Sequence, residues 1–146
     1  MRILMLGWEL PPHNSGGLGV ACYQLCKALS KKGADIEFIL PYTAHHPGVD
    51  FMRINAPHAQ DVEAVIKAGI AYDSFKYVKS TGEIKYMDIF GQASVYEEAV
   101  GRIVKLGSFD IIHAHDWLTC RAALRAKMMT GKPLIVHFHS IESDRA

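Results

Sequence analysis

The chain has 146 residues, of which 49% are hydrophobic and 21% are charged, as in a typical soluble globular domain. Its formal net charge is +1 and its basic residues are scattered, so neither nucleic acid nor an anionic membrane is an expected partner. No run approaches the roughly 18 apolar residues of a transmembrane helix, and we expect a cytoplasmic protein.

The first 42 residues predict a strand, a helix and a second strand. A short apolar run at 2–6 predicts a buried strand, and the prolines and glycines of 8–17 predict a loop. Apolar residues then recur at helical spacing from Leu18 until Gly33, and residues 34–42 predict the next strand. Such βαβ units are almost always right-handed crossovers in a parallel sheet.

The middle of the chain has weaker patterns. We predict a short strand at 51–55, a short helix at 61–68 and a small hairpin around 80–82. A helix is then predicted over 92–107, where apolar residues return to helical spacing before a glycine.

A second βαβ unit follows, with strands at 109–115 and 134–139 and a helix at 117–130 between them. The predicted fold is therefore α/β, a Rossmann-like, doubly wound and mostly parallel sheet in a single domain over 1–146. Because the sequence stops just after a strand with no helix to cover it, we expect this domain to be incomplete.

Three cysteines form no C-x-x-C pair. Cys22 and Cys26 are four residues apart, which on a helix places them on the same face. We predict that these two and Cys120 are reduced core residues of a cytosolic protein.

Polar side chains follow three of the predicted strands at their carboxyl ends. In an open parallel sheet these ends meet at one edge, where ligands bind, so we expect the three groups to face one crevice. The groups are Glu9 with the NSGGLG turn, His113 with His115, Asp116 and Trp117, and His137 with His139, Ser140 and Glu142.

The glycine-rich turn SGGLG at 15–19 precedes the first predicted helix. Glycines let the backbone approach a ligand closely, and the free N–H groups of a first helical turn favour an anion such as phosphate. The alternative is a tight turn with no ligand. The dinucleotide fingerprint is absent because Cys22 holds its third glycine position, and there is no Walker lysine.

Two His-x-His pairs suggest metal ligation at first sight. The fuller patterns H-E-x-x-H and H-x-H-x-D-H are not present, however, so we expect no metal. His113 and His115 should share one face of their strand. In the second pair, we predict that His137 is an inward, hydrogen-bonded core residue and that His139 faces the crevice.

Asp116 and Trp117 begin the third predicted helix. The Asp116 carboxylate is a suitable N-cap for the amide groups of Leu118 or Thr119, and its alternative role is a ligand contact. Trp117 either covers the edge of the sheet or provides a platform for a sugar ring.

Several segments in order resemble the glycogen and starch synthases and related retaining glycosyltransferases of the GT-B fold. They are MRILMLGWELPPHNSGGLGVACYQLCKALSKKGADIEFILP, DIIHAHDWLT, GKP and LIVHFHSIESDR. The resemblance implies that this chain is the N-terminal, acceptor-side Rossmann-like domain. It also implies that a second such domain, absent here, holds most of the nucleotide-sugar site.

On the donor side, the resemblance implies that Gly16 and Gly17 place backbone N–H groups near the donor phosphates. Ser15 lies beside them, and Glu9 would shape the sugar side. Bacterial glycogen synthases carry a lysine two residues before the paired glycines, whereas this chain has Asn14 there. The resemblance therefore extends to a retaining glycosyltransferase but not to one particular nucleotide.

On the acceptor side, the resemblance implies that His139 and Asp116 are the catalytic positions, with His139 at the reacting sugar. His115, Trp117 and Glu142 would line the acceptor crevice.

We therefore expect transfer from an ADP-, UDP- or GDP-linked sugar to a glycan or other acceptor, with no metal and no cofactor apart from the nucleotide sugar. We expect this chain alone to be inactive. Two alternatives remain, a non-enzymatic flavodoxin-like binding module and a metal-dependent hydrolase. The hydrolase would use His113, His115, His137 and His139.

Overall fold

The computed structural model describes residues 1–13, 16–56, 62–66, 75–79, 81–85 and 87–140. The expected roles of Ser15 and Glu142 lie outside these residues. The strands are β1 (Arg2–Leu6), β2 (Asp35–Ile39), β3 (Arg53–Asn55), β4 (Val62–Ile66), β5 (Phe75–Lys79), β6 (Ile84–Lys85), β7 (Ile111–His115) and β8 (Leu134–His137). The helices are α1 (Gly17–Lys31), α2 (Ile89–Leu106) and α3 (Trp117–Thr130).

Five strands form one parallel sheet in the order β3-β2-β1-β7-β8, which confirms the predicted Rossmann-like α/β fold. Strand β1 lies in the centre, with Ile3 opposite both Ile36 and Ile111. In the outer pair, His115 lies opposite His137. Strands β4, β5 and β6 form a separate antiparallel sheet.

From the centre of the sheet the chain moves outward in both directions, from β1 to β2 and from β7 to β8. Because such crossovers are right-handed, α1 and α3 lie on opposite faces. Helix α1 lies on the face that carries the histidines, since Cys22 Sγ is within 4.8 Å of a ring nitrogen of His115. The strand order therefore reverses between β1 and β7. The carboxyl ends of these two strands form the topological switch point, which is where such sheets bind ligands.

The opposite layer is held together by small side chains. Ala122, Ala123 and Ala126 of α3 are buried, and their size lets α2 approach closely. The Tyr96 hydroxyl of α2 donates a hydrogen bond of 2.9 Å to the Ile39 carbonyl oxygen at the end of β2. This buried hydrogen bond connects the helical layer to the sheet near the switch point.

Two of the three weaker predictions in the middle of the chain are confirmed. Strand β3 pairs with β2, and β5 and β6 pair across the predicted turn. The helix predicted at 61–68 is wrong, because Val62–Ile66 is a strand paired with β5. Its β-branched residues favour an extended strand over a helix. Helix α2 begins three residues earlier than predicted, because the Asp88 carboxylate accepts the Gly91 N–H at 2.7 Å and caps it.

All three cysteines are free, and Cys22 and Cys26 are buried in the core as predicted. Burial raises the pKa of Cys26 to about 12, so its thiol stays protonated. Cys120 is reduced as predicted, but its predicted place in the core is wrong, because it is only half-buried on α3.

Gly7 leaves no space for a side chain at the end of β1, since an added Cβ would overlap the Phe38 ring. We predict that Gly7→Ala lowers the free energy of unfolding by about 1–3 kcal/mol, the usual cost of overpacking a core. Urea denaturation measures this change. Phe38→Leu should recover part of the loss in the double variant. An equal cost of Gly7→Ala in both backgrounds would show that this contact is not its cause.

Candidate functional site

The ends of β1, β7 and β8 lie at one edge of the sheet, as the parallel register requires. The Asp116 N–H donates to the His137 carbonyl oxygen at 2.9 Å and continues the strand pairing past β7. Residues that follow three different strands therefore surround one region, and the amino end of α1 faces it.

The amino end of α1 contains a buried carboxylate. Gly16, the N-cap, has no side chain to accept a hydrogen bond, and no acidic residue lies in the first turn. Glu9 is instead 1% exposed, and its Oε1 accepts the Gly19 N–H at 3.1 Å. This negative charge stabilises the positive end of the helix dipole. Glu9 therefore lies beneath the turn in which a phosphate was predicted.

Open space surrounds the two glycines of this turn. Nothing in the described part of the chain lies within 4 Å of a Cβ built on Gly16 or Gly17, and both residues are exposed. Internal crowding therefore does not require glycine at either position. A ligand that approaches the backbone closely would require it.

Asp116 connects the ends of β7 and β8 through its side chain. It is 1% exposed, and its Oδ1 accepts the backbone N–H groups of His139 at 3.0 Å and Ser140 at 3.4 Å. These bonds fix the segment directly after β8.

The predicted N-cap hydrogen bond of Asp116 is wrong. Asp116 stands at the N-cap position of α3, but no described amide of that helix donates to its side chain. Thr119 N–H bonds to the Asp116 carbonyl oxygen instead, at 3.3 Å. The backbone of Asp116 has φ 62° and ψ 171°, a conformation that is essentially restricted to glycine and costs about 1–3 kcal/mol elsewhere. This conformation turns the carboxylate towards β8.

The four histidines of the two His-x-His pairs form a stack. Ring centroids are 4.5 Å apart between His113 and His115, and 4.3 Å apart between His137 and His139. Across the strands, His115 lies 5.3 Å from His137 and 5.2 Å from His139. The prediction that His113 and His115 share a strand face is therefore confirmed. His139 lies after β8, and its ring stacks on that of His137.

His115 orients His139. His115 Nε2 lies 3.1 Å from Met5 Sδ, and because sulfur is an acceptor here, Nε2 carries the proton. His115 Nδ1 is then an acceptor, and His139 Nε2–H donates to it at 2.9 Å. His139 is thus held by its ring through His115 and by its backbone through Asp116.

Three of the four rings have lowered pKa values, which favours their neutral form. Burial, together with repulsion between neighbouring rings, lowers the pKa of His115 to about 3. Burial also lowers the pKa of His113. For His139, burial and His137 lower the pKa more than the Asp116 charge raises it.

His137 is not the inward core residue that we predicted. Its side chain is exposed, because β8 is the outer strand of the sheet and no described element covers that position. The fully buried histidine is His115, on the inner strand β7.

Trp117 begins α3 and is 37% exposed. Its ring lies 6.3 Å from that of Phe90, which is 66% exposed at the start of α2. The two rings form an aromatic pair at the rim of the site. The pair has the apolar faces and the exposure that a sugar platform needs.

Sequence patterns did not reveal that Met5, Cys22 and Phe90 are close to these residues. The position of Met5 could have been predicted from the pairing of β1 with β7, because that register places Met5 opposite His113. Cys22 and Phe90 belong to helices, whose rotation relative to the sheet depends on packing rather than on spacing.

Two overlapping sets of side chains could hold a metal ion within the described residues. One set is His113, His115 and His137, and the other is Cys22, His115 and His139. In each set, one ligand atom per residue lies within 4.8 Å of the others.

A second recess, with a volume of about 310 Å³, lies beside the ends of β2 and β3. His46 lines it, and its Nδ1–H donates to the Pro11 carbonyl oxygen at 2.9 Å. The other ring nitrogen of His46 is buried and has no partner among the described residues. Burial lowers the pKa of His46, and the neighbouring His13 and His45 lower it further.

Solved structures share this architecture. The sucrose-phosphate synthase of Thermosynechococcus elongatus matches 99% of the chain with a TM-score of 0.66 at 16% identity, over 34% of its own length. A UGT transferase of Siraitia grosvenorii in complex with UDP matches 96% with a TM-score of 0.51 at 10% identity, over 24% of its length. Fold and switch-point site together define a Rossmann-like domain of the kind found at the N-terminus of GT-B glycosyltransferases.

Sequence relatives show which family within this class the chain resembles. The chain is 29% identical to the glycogen synthase of Mycobacterium tuberculosis over 157 aligned residues, which cover 99% of the chain and 35% of that protein. It is 33% identical to the glycogen synthase of Chlamydia felis over 82% of the chain and 28% of that protein. It thus spans about a third of these relatives. The starch synthase catalytic domain model matches residues 2–146, and the chain belongs to that family.

We predict that Asp116→Ala destabilises the protein by about 1–3 kcal/mol, because it removes the acceptor of two amide hydrogen bonds. Asp116→Gly should cost about 1 kcal/mol less, since glycine adopts this backbone conformation without strain. Guanidinium denaturation of both variants measures the difference. Equal stabilities of the two variants would mean that the conformation of residue 116 carries no cost.

We predict that His46→Asn reduces the loss of stability between pH 7 and pH 5. Since the pKa of His46 is lower in the folded protein, only the unfolded chain gains this proton as the pH falls below about 6.5. The stabilising contribution of neutral His46 is therefore present above that pH and declines below it. Thermal melts at several pH values measure the effect. Parallel curves for wild type and His46→Asn would contradict the prediction.

Proposed function

We propose that this chain is the acceptor-side N-terminal domain of a retaining glycosyltransferase, which transfers a sugar from a nucleotide-sugar donor to a glycan. The family match over 2–146 supports this proposal. The observation that carries it is the double anchorage of His139, by the Asp116 carboxylate and by the His115 ring, at the edge where the α1 amino end also lies. Such rigid placement suits a group that contacts a reacting sugar.

The donor phosphates would bind at the amino end of α1. Gly16 and Gly17, with Ser15 beside them, would present backbone N–H groups to the diphosphate that leaves. The open space at both glycines supports this role. Glu9 already accepts one N–H of the same helix, so it would limit how deeply the phosphate binds and face the sugar side from below.

The sugar itself would contact His139. In a retaining transfer the sugar becomes oxocarbenium-like, and positioned polar groups stabilise that charge. Asp116 would act chiefly by holding the His139 segment, because both amide donors of Oδ1 belong to His139 and Ser140. Direct contact with the sugar would use the other carboxylate oxygen.

The acceptor would lie along the rim of the site. Trp117 and Phe90 offer an exposed aromatic surface for a glycan ring. Glu142 would line the acceptor crevice, and the buried His115 would support that crevice by holding His139. We infer no metal ion and no cofactor other than the nucleotide sugar for this reaction, and the proposed location is the cytoplasm. No helix in the described part of the chain is long and apolar enough to cross a bilayer.

A second Rossmann-like domain would complete the enzyme and grip the nucleotide. The glycogen synthases matched by this chain are about three times its length, which is consistent with a further domain. The 146-residue chain alone should therefore be inactive. Transfer of radiolabelled glucose from ADP-, UDP- or GDP-glucose to glycogen by this chain alone would overturn that expectation.

We predict that His139→Ala in the longer protein lowers kcat by about 10²–10³-fold, the usual loss when one donor at a developing charge is removed. The fold should be unaffected, because His139 lies after β8 and is only half-buried. Initial rates with the preferred nucleotide sugar, measured with EDTA present, give kcat and KM separately.

His45→Ala is the matched control, since it removes an exposed histidine from a loop outside the proposed site. Unchanged turnover of His139→Ala would contradict the site assignment. Proton NMR of the first product gives its anomeric configuration, and an inverted product would contradict the retaining mechanism.

A further inference from the structure

We propose that His113, His115 and His137 form a binding site for a divalent transition-metal ion, with zinc as the preferred ion. The site shares His115 with the residues that hold His139 in the proposed transferase, but the transfer chemistry itself uses no metal. The inference depends only on the placement of these three side chains and stands whether or not the chain is part of a transferase.

The strands of the sheet position all three imidazoles. His113 and His115 are separated by one residue on β7 and point to the same face, and His137 lies directly opposite His115 on β8. Adjacent strands lie about 4.8 Å apart, so side chains at opposed positions are within reach of one ion. One ring nitrogen from each of the three residues already lies within 4.8 Å of the others.

Three imidazoles with an open fourth position are a ligand set that zinc accepts. Zn–N distances of about 2.0–2.1 Å place tetrahedral ligand nitrogens about 3.4 Å apart. The ring nitrogens must therefore approach by up to about 1.4 Å, and the stacked rings must turn so that their lone pairs converge. His137 is exposed, so its ring can turn towards β7 without displacing the core. Water would supply the fourth ligand from the exposed side of β8.

His113 offers the independent observation that indicates a ligand. Its Nε2 is buried and has no hydrogen-bond partner among the described residues. Buried polar atoms are almost always satisfied, so a nitrogen in this state is available for an ion or a water molecule.

The alternative set of Cys22, His115 and His139 is less suitable. Burial and the nearby charges raise the pKa of the Cys22 thiol, so forming its thiolate would require the loss of a tightly held proton. An ion there would also take His139, whose backbone N–H is held by the Asp116 carboxylate. Either set takes His115, whose Nδ1 would exchange its hydrogen bond with His139 for the ion.

Cobalt(II) titration of the 146-residue chain at pH 7.5 tests the proposal, because Co²⁺ takes the same ligands as Zn²⁺ and is coloured. We expect one equivalent to bind with the visible absorption of a tetrahedral nitrogen site, and equimolar Zn²⁺ to displace it. His137→Ala should weaken Co²⁺ binding by more than about 100-fold, since even the loss of a supporting partner costs 10–100-fold. His113→Asn is the second variant and should weaken it similarly. His45→Ala, the control, should bind as wild type does.

Three outcomes would overturn the proposal. The first is the absence of Co²⁺ binding by a folded wild-type chain, as judged by circular dichroism. The second is unchanged binding by His137→Ala and His113→Asn. The third is a near-ultraviolet thiolate-to-cobalt band that disappears in Cys22→Ser, which would place the ion in the alternative site.

Discussion

The carboxylate of Asp116 is the interaction on which this edge of the sheet depends. A parallel sheet aligns its strands but leaves the segments after them unpaired, and those segments form the site. Here one buried side chain at the end of β7 accepts two amide groups from the segment after β8. The arrangement requires a backbone conformation that aspartate rarely adopts. The strained backbone of Asp116 therefore fixes the position of His139 and Ser140, which follow the adjacent strand.

The histidines add a second constraint, which acts through hydrogen bonds and stacking rather than through charge. Met5 determines which nitrogen of His115 carries the proton, and that choice determines how His139 is held. A methionine on β1 thus influences a ring two strands away. Because burial lowers the pKa of His115 to about 3, its orientation does not depend on an ion pair that salt would screen.

Sequence patterns predicted the elements of this fold that repeat regularly. Helix α1 has apolar residues at helical spacing and ends before Gly33, and its observed bounds agree with that pattern within a residue or two. Strand β4 was predicted as part of a helix over 61–68 because a run of eight residues contains too few periods to distinguish a helix from a strand. Its pairing with β5, a contact between distant residues, decided the outcome.

The candidate site, like the fold, was predicted only in part. The grouping of Glu9, Asp116 and His139 at one edge followed from strand topology alone. The orientation of individual side chains did not. Asp116 looked like an N-cap because its position relative to α3 was correct, but its φ of 62° turns the carboxylate away from that helix. His137 looked like a core residue because nothing in its spacing shows that β8 is the outermost strand among the described residues.

Glu9 has a consequence for the rate at which an anion would leave the amino end of α1. A helix terminus with an unoccupied set of amide donors holds phosphate firmly, and a firmly held product slows turnover. Here a built-in carboxylate already satisfies Gly19 and contributes its own negative charge from within the core. An incoming diphosphate would share the helix dipole with this resident charge and meet repulsion from it. Glu9 would thus favour brief occupancy by the diphosphate and its rapid exchange with solvent.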